Sequence, residues 1–235
     1  MGAEFTGIYD GGYGAGSNPP ASAIRGQISI NKPGVICNKG LAYWVMVNQG
    51  NQPECTQNNT HSVYAQDGWL IDGYGNPQHF YERAEILFQP NCDPGPWIWA
   101  AATWSGSHTY EVQTGGANQG DWAEFIIDGV VANTLAIDWA HADNYQVAGE
   151  IAYSEEYMGG QTLRSLYHCE QGAQQTGCNP TTATNVGAVC PQSGNPQGCL
   201  GPNKNPNGCY YFNAGVTTSN GFNVYEKRAK SPPSC

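Results

Sequence analysis

Charged residues are scarce in this chain, and their scarcity limits the partners that it can have. Lysine and arginine together number 9 and aspartate and glutamate 19 among 235 residues, so charged side chains make up 12% and the net charge is −10. An acidic chain repels phosphate backbones and anionic lipid surfaces. The sequence therefore predicts no nucleic-acid partner and no membrane partner, and it is compatible with an acidic working pH.

Metal clusters and membrane-spanning runs are also missing. Histidine occurs only 5 times, and none of the 9 cysteines falls in the C-x2-C spacing that is typical of zinc sites. No stretch of about 18 apolar residues is present, as a spanning helix would require. Phosphate-binding and calcium-binding loops are absent as well. We expect neither a metal nor another cofactor.

The cysteines instead indicate disulfides, which form in an oxidising compartment. We expect four intrachain bonds and a secreted, extracellular protein. Because 9 is an odd number, one thiol remains, and Cys235 is the candidate for a bond to another chain of a protein that is otherwise monomeric. The first residues, MGAEF, lack the basic-then-apolar run of a secretory leader, so they indicate a vector remnant or a start created by processing.

Short alternating segments separated by turn residues predict an all-β protein. The expected strands are Ala23–Asn31, Leu41–Asn48, Ser62–Ile71, Gln78–Leu87, Trp97–Ser105, Ser107–Thr114, Trp122–Ile127, Thr134–Ala140, Tyr145–Tyr153, Cys209–Ala214 and Gly221–Lys227. With no convincing amphipathic helix between them, they favour an antiparallel two-sheet β-sandwich. Asp128-Gly129 predicts a two-residue hairpin turn.

One domain is the better count for a chain of this length. Residues 1–22, rich in glycine, proline and serine, predict an arm lying over the fold, with residues 1–5 as the vector-derived part. Residues 23–235 predict a single sandwich. Within it, the cysteine-rich stretch 169–209 predicts a disulfide-rich loop excursion rather than a separate domain.

Two polar residues stand out on predicted strands. Gln66 shares a strand face with Tyr64 and Gly68, and Glu150 shares one with Gln146 and Ala148. A buried amide or carboxylate costs stability unless its hydrogen bonds are satisfied. The two side chains therefore either bridge each other in the sheet or point toward a group that enters from outside.

Short motifs around these residues resemble the glutamic peptidases, both the eqolisin type and the neprosin type. The strand Gln66-Asp67-Gly68-Trp69 and the later Gly149-Glu150-Ile151 resemble the strands that carry the catalytic pair. Ala42–Val45 resembles the eqolisin strand with a substrate-lining tryptophan, and Phe80–Glu82 resembles an aromatic-acid strand there. The ordered set covers residues 23–152.

The resemblance implies a concanavalin-like sandwich and a secreted, metal-independent endopeptidase that acts on polypeptides in mild acid. Glu150 would be the general base and Gln66 the donor to the oxyanion. The residues expected to line the substrate groove are Trp44, Tyr64, Trp69 and Glu82. The chain departs from the pattern in lacking the two-glutamate pair of neprosins and in carrying its cysteine-rich segment.

Two other functions remain open on the same fold. Trp97, Trp99 and Trp104 would form the sugar-stacking platform of a carbohydrate-binding module, although tryptophans in a sandwich are more often core residues. The low charge, the polar loops and the spare cysteine also suit a secreted adhesion or assembly protein.

Overall fold

The fold is built from strands throughout the part of the chain that the computed structural model describes, which comprises residues 4–10, 21–33, 40–52, 61–84, 95–115, 122–137, 144–151, 160–170, 178–180, 186–189 and 212–226. These ranges contain no helix. The strands are β1 Glu4–Asp10, β2 Ala21–Ser29, β3 Leu41–Gln52, β4 His61–Ile71, β5 Pro77–Ala84, β6 Trp97–Ala101, β7 Ser107–Gly115, β8 Trp122–Ile127, β9 Val130–Ala136, β10 Asn144–Ile151, β11 Gln161–Glu170, β12 Asn179–Pro180, β13 Val186–Val189, β14 Phe212–Thr218 and β15 Gly221–Glu226.

The strands form two antiparallel sheets. The 7-stranded sheet has the order β13-β1-β10-β3-β4-β5-β6. The 8-stranded sheet has the order β14-β15-β11-β2-β7-β8-β9, and β12 pairs with β11. The predicted all-β, two-sheet antiparallel sandwich is confirmed. No helix among the described residues has the length and apolar character needed to cross a membrane.

Alternation along the strands creates one core between the sheets. In β8, Ala123, Phe125 and Ile127 are buried and the residues between them are half-buried, as expected for a strand with one face in the core. The 7-stranded sheet faces them with a set of apolar side chains: Tyr43, Val45, Val47, Val63, Ala65, Trp69 and Val147. Removal of this apolar surface from water is the main stabilising contribution.

The turn between β8 and β9 follows the sequence prediction. Asp128 and Gly129 have φ values of 52° and 76°, and Ile127 pairs with Val130 across them. Two consecutive residues with positive φ are the mark of the type I′ turn, whose twist matches that of the flanking strands.

The N-terminal residues differ from the expected arm. Strand β1 lies within residues 1–22 and pairs with β10 on one side and β13 on the other. Glu4–Asp10 is therefore an internal strand of the 7-stranded sheet. The residue pattern does not predict this strand, because Gly7 interrupts the alternation and the segment is short.

The cysteine-rich stretch contributes to both sheets. Cys169 at the end of β11 forms a disulfide with Cys178, and both cysteines among the described residues are thus bonded. Within the stretch, β12 pairs with β11 and β13 pairs with β1, so parts of the expected excursion extend the sheets. Cys235 and the remaining predicted disulfides lie outside the described residues.

Candidate active site

The outer face of the 7-stranded sheet, which points away from the core, carries a second and smaller apolar cluster. Its buried members are Trp44, Met46, Phe80 and Ala148, with Ala42, Tyr64 and Leu70 packed against them. Because side chains alternate along a strand, these residues share their face with the even-numbered polar residues of β4, β5 and β10. We refer to this surface as the outer face.

Gln66 and Glu82 form a buried polar pair on the outer face. They lie directly opposite each other on β4 and β5, and Gln66 Nε2 donates to Glu82 Oε2 over 2.5 Å. Gln66 is 7% exposed and Glu82 6%. A hydrogen bond to a carboxylate is stronger than one between neutral groups, which explains how a long amide is tolerated beside aromatic neighbours.

Gly68 permits the close approach of β3 to β4 next to this pair. A Cβ atom built on Gly68 would overlap the Tyr43 carbonyl oxygen and come within 2.7 Å of Trp44 Cα. Since backbone atoms cannot yield as a flexible side chain does, only glycine fits here. The glycine after Gln66 therefore keeps the two strands together below the outer face.

Glu150 shares the outer face but stands far from Gln66. Glu150 is level with Ala42 of β3, and Ala42 is level with Leu70 of β4 rather than with Gln66. Glu150 is therefore offset from Gln66 by four residues of about 3.4 Å along the strand and by two strand spacings of about 4.8 Å across the sheet. Together these offsets place the Cα atoms of Glu150 and Gln66 roughly 17 Å apart. Two side chains of about 5 Å reach each do not span that distance, so the pair is not brought together.

The β10 residue that is level with Gln66 is Gln146. Both pair with Met46, Gln146 from one side and Gln66 from the other, and Gln146 is half-buried. The row across the four strands is thus Gln146, Met46, Gln66 and Glu82. Glu82 is the only carboxylate in this row. The sequence signal for Glu82 is its position sixteen residues after Gln66 in an aromatic-acid strand, and that signal predicts a groove-lining residue.

The other predicted lining residues divide between the two faces. Trp44 is 2% exposed and Tyr64 is half-buried, and both lie on the outer face near Gln66. Trp69 lies on the opposite face: it is fully buried, stacks on Tyr43 at 5.2 Å and donates from Nε1 to the Ser29 carbonyl. Trp69 is therefore a core residue and does not reach the outer face.

Two solved structures share this arrangement of sheets. One is a crystal structure of scytalido-glutamic peptidase with a peptide-based transition state analog, with a TM-score of 0.55, 9% identity, and coverage of 96% of this chain and 98% of the other. The other is SCP-B, a member of the eqolisin family of peptidases, in complex with the tripeptide Ala-Ile-His, with a TM-score of 0.55, 8% identity and the same coverage. The chain has the eqolisin fold. No family model matches it, and no curated protein matches it by sequence.

A buried carboxylic acid lies in the core of this eqolisin fold, directly beneath the outer face. Asp67 is fully buried between the sheets, and neither of its oxygens has a hydrogen-bond partner. Burial raises the pKa of Asp67 well above its ordinary value, and the nearby Glu111 carboxylate raises it further. The backbone N–H groups of Glu111 and Ile126 act in the opposite direction, although neither reaches full hydrogen-bonding geometry. Burial therefore favours the neutral form of Asp67.

A second titratable cluster joins the two sheets of the eqolisin fold. His79 Nδ1 bonds the buried Tyr110 hydroxyl at 2.8 Å, and its ring lies 4.7 Å from the ring of His108, which bonds Asp128 at 2.7 Å. Burial and the neighbouring His108 lower the pKa of His79 to about 4. The His79–Tyr110 bond links β5 of one sheet to β7 of the other. No group of acidic, histidine or cysteine side chains in the described part of the chain is arranged to hold a metal ion.

The three tryptophans that suggested a sugar platform contact different partners. Trp97 stacks on Tyr81 at 5.8 Å, and Trp104 meets the edge of the buried Trp69 at 6.0 Å. Trp99, which is 37% exposed, lies against His79. Each of the three rings therefore packs against a different aromatic residue.

Proposed function

We propose that this protein is a secreted glutamic-type endopeptidase that cleaves polypeptides on the outer face of its 7-stranded sheet. The observation that carries the proposal is the buried Gln66–Glu82 pair on β4 and β5 of that face, on a fold shared with the eqolisins. An amide and a carboxylate in contact are sufficient for hydrolysis without a metal or an activated serine.

In the proposed reaction, Glu82 is the general base. Its carboxylate takes a proton from a water molecule as the water oxygen attacks the scissile carbonyl carbon. Gln66 has two N–H groups, and the one that is not bonded to Glu82 donates to the carbonyl oxygen as negative charge develops on it. Protonated Glu82 then transfers the proton to the departing amine as the C–N bond breaks.

Glu82 replaces Glu150 in this scheme because of the strand register. The sequence predicted that Glu150 is the base, but the roughly 17 Å between the Cα atoms of Glu150 and Gln66 separates it from the amide that would hold the oxyanion. Glu150 is assigned instead to the far end of the outer face, where an extended substrate of about five residues would reach it.

The pH range of activity follows from the use of a carboxylate base. An ordinary glutamic acid has a pKa of about 4.3, and a base near that value works best where it is ionised and the same group can still return a proton. We expect activity in mild acid.

The test is a digestion of acid-denatured casein and of a proline-rich peptide between about pH 3 and about pH 7. We expect cleavage that resists pepstatin, chelators and serine-directed reagents. Gln66→Ala should lower turnover by about 10²–10³, as for a lost oxyanion donor. Absence of cleavage at every pH, or full activity of Gln66→Ala, would refute the proposal.

A further inference from the structure

A buried amide oxygen on the outer face has no partner. Asn48 is 3% exposed, and its Oδ1 atom lacks a hydrogen bond within the described structure. It follows Trp44 and Met46 on the same face of β3. An unpaired buried acceptor costs about 1–3 kcal/mol, and a donor from outside the chain would offset that cost.

The position of Asn48 relative to Gln66 matches the repeat of an extended peptide. Asn48 is level with Tyr64, which is two residues before Gln66 on β4. Diagonal neighbours of this kind have Cα atoms about 7–8 Å apart. In an extended chain, the backbone N–H and C=O groups that point to one side recur every second residue, which is about every 6.8 Å.

We propose that Asn48 is a substrate-positioning residue: its side-chain oxygen accepts the backbone N–H that lies two residues from the scissile carbonyl of an extended polypeptide. The inference rests on the proposed function, because it takes Gln66 as the group that holds the scissile carbonyl. Asn48 contacts substrate backbone rather than a side chain, so it fixes the position of the peptide without selecting its sequence.

The contrast with Asn133 supports a role outside the fold. Asn133 Nδ2 donates to the Tyr81 hydroxyl at 2.9 Å and thereby links β9 to β5. The Oδ1 atom of Asn48 makes no such link in the described structure. Replacement of Asn133 should lower stability more than replacement of Asn48, since it removes a hydrogen bond between strands, whereas Asn48 Oδ1 makes none.

The experiment measures peptide affinity by calorimetry, so that it does not depend on cleavage. A series of peptides carries one backbone N-methyl group at successive positions, and each is titrated into the parent protein, Asn48→Ala, Asn48→Asp and Asn133→Ala. In the parent, N-methylation at the one position read by Asn48 should weaken binding about tenfold, the size of one neutral hydrogen bond. In Asn48→Ala, the unmethylated peptide should already bind about tenfold more weakly, and methylation at that position should have no further effect.

Asn48→Asp keeps an acceptor oxygen and should recover the parent's sensitivity to methylation at that position, and Asn133→Ala should keep the parent's affinity while unfolding at a lower urea concentration. Equal sensitivity of the parent and Asn48→Ala to methylation at every position, or no peptide binding by the parent, would overturn the inference. Coupling to Asn48 in a protein that binds but cleaves nothing would support the positioning role while removing the proposed peptidase activity.

Discussion

Asp67→Asn should remove a pH dependence of stability that originates in the core. The folded-state pKa of Asp67 is raised, chiefly by burial, above the ordinary value of 3.8. The folded protein therefore binds this proton more tightly than the unfolded chain does. The stability that the protonated acid provides is fully present below pH 3.8 and is lost progressively as the pH rises toward the folded-state pKa. The slope is at most about 1.4 kcal/mol per pH unit, the value for one proton.

Other groups that face Asp67 also contribute to the pH dependence of the unfolding free energy in this pH range. Tyr110 and Glu111 face it from β7, and Tyr81 and Arg83 lie beside it on β5. These groups are unchanged in Asp67→Asn, so their contribution to the slope is common to both proteins. Below pH 3.8 the amide and the neutral acid are close in shape and charge, and we expect their unfolding free energies to agree within about 1 kcal/mol.

The assay is urea unfolding of the parent and Asp67→Asn at intervals between about pH 3 and about pH 7. The difference in unfolding free energy should widen in favour of the variant as pH rises. Parallel profiles for the two proteins would show that Asp67 is paired or ionised in the native state, and the reasoning from its burial would then be wrong.

Three further predictions concern the fold that supports the outer face. The variant His79→Gln keeps a partner for the Tyr110 hydroxyl but has no side chain that titrates in this range. Because the folded-state pKa of His79 is lowered to about 4, the unfolding free energy of the parent should rise between about pH 4 and about pH 6.5. Urea unfolding of the variant should show no such rise. In thermal melts, Gly68→Ala should lower the free energy of unfolding by about 1–3 kcal/mol, because the added Cβ overlaps β3. The control Gly73→Ala should have little effect, because a Cβ added there meets no atom within 4 Å. Replacement of Cys169 and Cys178 by alanine opens a loop closed at a sequence separation of 9 and should cost about 2–3 kcal/mol; unchanged urea midpoints would contradict this.

Alternation predicted the fold but left the register open. Apolar and polar residues alternate clearly enough in β4 and β8 to assign one face of each to the core, and the Asp128-Gly129 turn follows from its residue types. A shift of two or four residues between neighbouring strands preserves that assignment. The side chain that stands level with Gln66 was therefore not determined by the pattern.

The candidate site shows the consequence of an open register. Gln66 was correctly placed on a strand with Tyr64 and Gly68, but Glu150 lies four residues beyond the β10 position level with it. Glu82 was interpreted as a groove residue although it pairs directly with Gln66. Trp69 is assigned to the site by the resemblance of Gln66-Asp67-Gly68-Trp69 to the glutamic peptidase strands, whereas its odd spacing from Gln66 directs it into the core.

The outer-face predictions that stay untested are those that depend on chemistry. The fold positions these residues: Glu150, Trp44, Tyr64 and Glu82. The buried Gln66–Glu82 pair also satisfies two polar groups in a sheet, which is a structural role. A structural pair and a catalytic pair differ in one measurable way. Loss of the carboxylate affects stability in the first case and turnover in the second.

The initial rate of peptide cleavage by Glu82→Gln, compared with Glu150→Gln, tests the central claim most directly. Glu124→Gln, on the other sheet and bonded to Thr134, is the matched control for loss of one carboxylate. We expect Glu82→Gln to lose at least about 10²-fold in kcat at the pH of highest activity, since it removes the general base, while Glu150→Gln and Glu124→Gln stay within about tenfold of the parent. Parent-level turnover by folded Glu82→Gln, or loss of turnover in Glu150→Gln alone, would contradict the assignment of Glu82 as the base.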